Sequence, residues 1–78
     1  MNKFERKNAE LVTEFDRFII ENPQYADAIP DGALVVMQLE DDHEFNEWSR
    51  RTAAAQAQKG QKIIYVRIKK LQARPFEY

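Results

Sequence analysis

The chain has 78 residues, no cysteine and a formal net charge of −1, which leaves room for one domain with one small core and excludes disulfides and thiolate metal sites. With 44% hydrophobic and 32% charged residues it is neither disordered nor fibrous. The charge balance hides a division: residues 1–48 carry four basic side chains against twelve acidic ones (−8), and residues 49–78 carry eight against Glu77 alone (+7). Either the two regions attract one another, within the fold or between subunits, or the second offers a basic face to an anionic partner. The opening MNKFERKNAE lacks the apolar segment of a signal peptide. The longest apolar run, Ala33 to Met37, is far short of the ~20 residues of a membrane span. The expectation is a cytoplasmic protein with no membrane partner.

In chain order, Lys3 to Glu21 reads as an amphipathic helix. Phe4, Leu11, Phe15 and Phe18 recur at spacings of seven, four and three, and Val12 and Ile19 broaden the stripe. Asn2 is placed to cap it, with Glu5 three residues on completing a capping box. Arg6–Glu10 and Arg17–Glu21 are spaced to pair on its wet side. Asn22-Pro23 restarts the chain, and Pro23 to Ala28 is expected to form one short helical turn. Pro30-Asp31-Gly32 is a turn signal: proline presets one dihedral and glycine accepts a positive one.

Two strands follow, separated by a helix. ALVVMQLE (33–40) is β-branched and apolar. KIIYVRIKK (62–70) alternates, with Ile64, Val66 and Ile68 facing one way and Ile63, Tyr65, Arg67 and Lys69 the other. Residues 42–59 between them read as a helix closed by Lys59-Gly60. Strand, helix and strand make a βαβ unit, whose strands should be parallel. Two strands make a poor sheet alone, and two substantial helices cannot cover both faces of it, so a strand edge is available to a second copy.

The stretch EDDHEFNEWSRR (40–51) holds five of the thirteen acids and the only histidine, tryptophan and serine. Most of it is explained as a helix start. Asp41 as N-cap with Glu44 three residues later fits a capping signature, with Asp42 the alternative cap. The acids face the positive end of the helix dipole, and Glu47 can pair with Arg50 or Arg51. Phe45, Trp48, Thr52 and Ala55 would share the inward face. The rival reading uses His43 and Glu47, four apart, as metal ligands, but two are too few. Ser49 is six residues from His43, so it forms no triad. Two glycines allow no glycine-rich phosphate loop. The sequence therefore assigns no catalytic, cofactor-binding or metal residue.

Three segments, ENPQYADAIPDGALVV (21–36), DDHEFNEWSRR (41–51) and GQKIIYVRIKK (60–70), resemble a small uncharacterised prokaryotic family, a domain of unknown function. The resemblance implies a prokaryotic cytoplasmic origin and carries no activity or residue roles with it.

The fold class expected is α/β: a single small domain over residues 1–78, ordered α-β-α-β, with a parallel βαβ unit and an N-terminal amphipathic helix. The expected function is a non-enzymatic protein–protein interaction module without cofactor. It is expected to be a homodimer, with another protein as a further partner. The interface would be the stripe Phe4, Leu11, Phe15 and Phe18, a strand edge, or both, and the charge division predicts a dimer that weakens as salt rises. The alternative is a nucleic-acid-binding or regulatory, antitoxin-like module. It would bind an anion through Tyr65, Arg67, Lys69, Lys70 and Arg74, aromatic and basic side chains interleaved on an open strand.

Overall fold

The computed structural model describes residues 1–70. Its elements are helix α1 (Lys3–Glu21), a 3-10 helix (Pro23–Ala28), strand β1 (Leu34–Leu39), helix α2 (His43–Gln56) and strand β2 (Ile63–Ile68). The chain is thus a small α/β domain, as its periodicities predict. None of its helices is long and apolar enough to cross a membrane, among the described residues.

Helix α1 begins with the full capping box. The Glu5 N–H donates to Asn2 Oδ1 at 2.7 Å, and the Asn2 N–H donates to Glu5 Oε1 at 2.9 Å, so two orphan donors are satisfied reciprocally. Arg17 donates to Glu14, one turn back at 3.1 Å, rather than pairing with Glu21. Pro23 opens the 3-10 helix as expected. Ala33 N–H then donates to the Pro30 carbonyl at 3.2 Å, closing a turn in which Gly32 takes φ +78°. Pro30 is the first residue of that turn, and Asp31 and Gly32 occupy its two corners.

β1 and β2 pair in parallel, with Leu34 opposite Ile63, Met37 opposite Val66 and Leu39 opposite Ile68. Leu11, Met37 and Phe45 are fully buried and form the centre of the core. Phe4, Phe15, Val35, Leu39, Trp48, Val66 and Ile68 pack around it. Trp48 stacks on Phe4, with ring centroids 5.6 Å apart and planes at 27°. Val66 and Ile68, two of the three residues that the alternation of β2 turns one way, pack on this core, while Ile63 and Ile64 are both half-buried.

The structure corrects two expectations for α2. The buried positions are Phe45, Ser49 and Ala53, four apart, while Ala55 is exposed. The helix has rolled so that its small side chains meet β1, a closer approach than a stripe of large residues would permit. The helix also ends at Gln56, before Lys59-Gly60. Gly60, at φ +78°, instead serves the turn closed by Gln61 N–H and the Gln58 carbonyl at 2.9 Å, which aims the chain into β2.

Candidate interaction surface

The motif DDHEFNEWSRR organises the surface by fastening α2 along one edge of β1. In a parallel pair, alternate residues of a strand turn their backbone groups toward the neighbour. Leu34 N–H donates to the Lys62 carbonyl and Glu40 N–H to that of Ile68, so the odd-numbered residues of β1 face away from β2. Asn46 grips that outer edge: its Oδ1 accepts from Leu39 N–H at 2.7 Å, and its Nδ2 donates to the Leu39 carbonyl at 2.8 Å. Ser49 Oγ donates to the Met37 carbonyl at 2.8 Å. Gln38, buried despite its amide, donates to the Met37 carbonyl at 3.1 Å and accepts from Arg50 at 3.2 Å.

Asn46 and Ser49 thus do for β1 what a third strand would do. The sequence alone gives Asn46 no role of its own and offers Ser49 only as a residue without a triad partner. The legible signal was a polar residue next to Phe45 and another between Phe45 and Ala53. Polar groups buried on a helix's inward face must find partners, and the nearest unpaired ones belong to a strand edge.

The N-cap of α2 is Asp42, the alternative of the two aspartates, and it accepts from Phe45 N–H at 3.1 Å. Asp42 also forms an ion pair with Lys7 of α1. The hydrogen bond from Lys7 holds its carboxyl below the ordinary aspartate value, outweighing partial burial, which acts in the opposite direction. Asp41 takes φ +70°, the left-handed conformation that lets the chain reverse between β1 and α2. With Asp42 as cap, the third helical residue is Phe45, so Glu44 closes no box. Arg50 goes to Gln38 instead of Glu47. His43, Glu44 and Glu47 are exposed, and no three His, Asp or Glu side chains converge to hold a metal among the described residues.

The other sheet edge differs. The parity that turns Ile64, Val66 and Ile68 toward β1 turns the N–H and C=O groups of Ile63, Tyr65 and Arg67 outward. Among the described residues, no side chain bonds to them as Asn46 does to Leu39. Tyr65 is 55% exposed, and Arg67, Lys69 and Lys70 are exposed as well; Arg74, the last of the anion-binding candidates, lies outside the described residues. Beside this edge the second half of α1 and the end of β2 flank a groove. Phe15, Phe18, Val66 and Ile68 line it, with Glu21 and Lys70 at its rim.

Of the aromatic stripe, Leu11 is fully buried within the chain, and Phe4 and Phe15 pack against the core. Only Phe18, 45% exposed and 5.2 Å from the Tyr25 ring, remains at the surface.

A family model matches residues 3–76, almost the whole chain. The chain belongs to DUF5647, a family of unknown function. Membership of DUF5647 agrees with the resemblance carried by the three sequence segments, and it assigns no activity. No curated protein and no solved structure matches the chain.

Proposed function

We propose that this DUF5647 chain is a non-enzymatic protein-interaction module that works by accepting an extended strand on the outer edge of β2. The contrast between the two edges supports the reading. α2 spends Asn46 and Ser49 on the outer edge of β1, while Ile63, Tyr65 and Arg67 present theirs unpaired among the described residues. An open edge with alternating side chains is the element that strand-addition domains offer to peptides. It is also a liability that folds otherwise blunt or cover.

A second copy is one occupant of this edge. Two β2 strands meeting antiparallel about Tyr65 would give a four-stranded sheet, with the strand edge as the homodimer interface in place of the buried stripe. That pairing brings the lysines at opposite strand ends together, so it strengthens as salt screens them. This is the reverse of the salt dependence expected from the charge division.

A peptide-display selection against the immobilised protein tests the reading, with a Tyr65→Pro variant as counter-target. Proline at Tyr65 removes an outward donor and leaves the bonds to β1 intact. Enriched peptides should bind as extended strands and fail on the variant. Peptides that bind both proteins equally would overturn strand addition.

A second reading, nucleic-acid binding by the basic strand, draws on exposed Tyr65 beside Arg67, Lys69 and Lys70. It requires oligonucleotide binding that falls steeply with salt and weakens in Arg67→Ala. No retention of oligonucleotide at low salt would remove it.

A further inference from the structure

The geometry points to a specific class of strand for this edge: an extended protein segment that alternates apolar with acidic side chains. The inference rests on the strand-addition reading and adds the chemistry of the partner.

The charge observation is independent of the edge. From Ser49 to Lys70 the chain carries seven basic side chains and no acid. The ion pairs among the described residues, Lys7–Asp42 and Arg17–Glu14, both lie in the acidic region. Arg50 has an amide partner in Gln38; Arg67, Lys69 and Lys70, at the open edge, make no ion pair among the described residues.

The two sides of an added strand would meet different surroundings. On the core side its side chains lie beside Val66 and Ile68 and enter the groove lined by Phe15 and Phe18. Charged side chains of both signs, Glu14 and Glu21 with Arg17 and Lys70, surround these apolar residues, so it is the apolar lining that selects an apolar side chain there. On the far side its side chains lie beside Tyr65 and Arg67, with Lys69 next on that side. Opposite charges across neighbouring strands attract and like charges repel. Alternation along a strand converts these two surroundings into one pattern. A second copy of β2 does not match it, because its own far side is Tyr65 and Arg67.

Titration calorimetry of the full chain tests this, with two synthetic peptides matched in length to β2. One alternates valine with glutamate and the other valine with lysine. The glutamate peptide should bind about tenfold more tightly than the lysine peptide, lose that advantage at high salt, and fail on Tyr65→Pro. A double variant, Arg67→Glu with Lys69→Glu, keeps the backbone edge and should reverse the preference, which covers the case in which the proline variant does not fold. Equal binding of both peptides, lost together in Tyr65→Pro, would overturn the acidic partner and leave strand addition standing. Glutamate-peptide binding that survives folded Tyr65→Pro would overturn both. A single-stranded oligonucleotide that displaces the glutamate peptide and binds more tightly would overturn the acidic-protein partner in favour of nucleic acid.

Discussion

Asn46 holds Leu39 by both of its backbone groups, Oδ1 to N–H at 2.7 Å and Nδ2 to C=O at 2.8 Å. One side chain on a helix therefore reproduces the two hydrogen bonds of a neighbouring strand. Replacing it with alanine leaves the part-buried Leu39 N–H without a partner, which costs about 1–3 kcal/mol, while the Leu39 carbonyl keeps the Asp42 N–H at 3.1 Å. Asn46→Ala should lower the unfolding free energy by roughly 1–3 kcal/mol in urea titration. Asn46→Asp keeps the acceptor but loses the donor, so it should fall between wild type and alanine. A change below about 0.5 kcal/mol for Asn46→Ala would mean that the edge is held by packing alone.

Asp41 and Asp42 stand side by side with different physical roles, and substitution separates them. Asp42→Ala removes the α2 cap and should cost about 1–2 kcal/mol. Its ion pair with Lys7 is partly exposed, so it adds little beyond the cap. Asp41→Gly should be neutral or stabilising, because glycine adopts φ +70° without steric cost. Asp41→Val should destabilise by about 1–2 kcal/mol.

The lowered pKa of Asp42 has a definite sign in stability. Its carboxylate is favoured in the folded state over the unfolded one, where the ordinary value is 3.8. The stabilisation is therefore fully present above that value and is lost as pH falls through the folded-state pKa. Lys7→Met removes the first cause of the shift and leaves the cap to Phe45. The acid limb of stability, followed by chemical denaturation between pH 6 and pH 2 (about two units either side of the ordinary value), should flatten in this variant.

The stripe on α1 divides into core and surface. Leu11→Ala creates a cavity at the centre of the core and should cost about 3–5 kcal/mol, a large share of the stability of so small a domain. Phe18→Ala, at a position 45% exposed, should cost less than about 1.5 kcal/mol. Thermal unfolding of the two variants at equal concentration separates these roles. A Phe18→Ala cost as large as that of Leu11→Ala would place Phe18 in a buried contact.

Much of this architecture was legible because its signals are local. The Asn2–Glu5 box, the 3.6-residue stripe of α1, the Asn22-Pro23 restart and the alternation of β2 each report on residues within a turn of one another. The choice of Asp42 over Asp41 depended on a left-handed residue between β1 and α2, and both aspartates are chemically able to cap. The roll of α2 onto Ser49 and Ala53 depended on how closely a helix can approach a strand edge, which periodicity does not encode. The open edge was legible as a strand count too small for a sheet. Which edge was open was not, because that is decided by Asn46 and Ser49 reaching the backbone of Leu39 and Met37.

Residue-resolved amide hydrogen exchange in the free protein tests the difference between the two sheet edges. Protection is expected at Leu39, held by Asn46, and at Ile64 and Val66, held by β1, with rapid exchange at Tyr65 and Arg67. Addition of the valine–glutamate peptide should then slow Tyr65 and Arg67 without changing Leu39. Protection of Tyr65 and Arg67 equal to that of Ile64 and Val66 in the free protein would contradict the open edge and the function built on it.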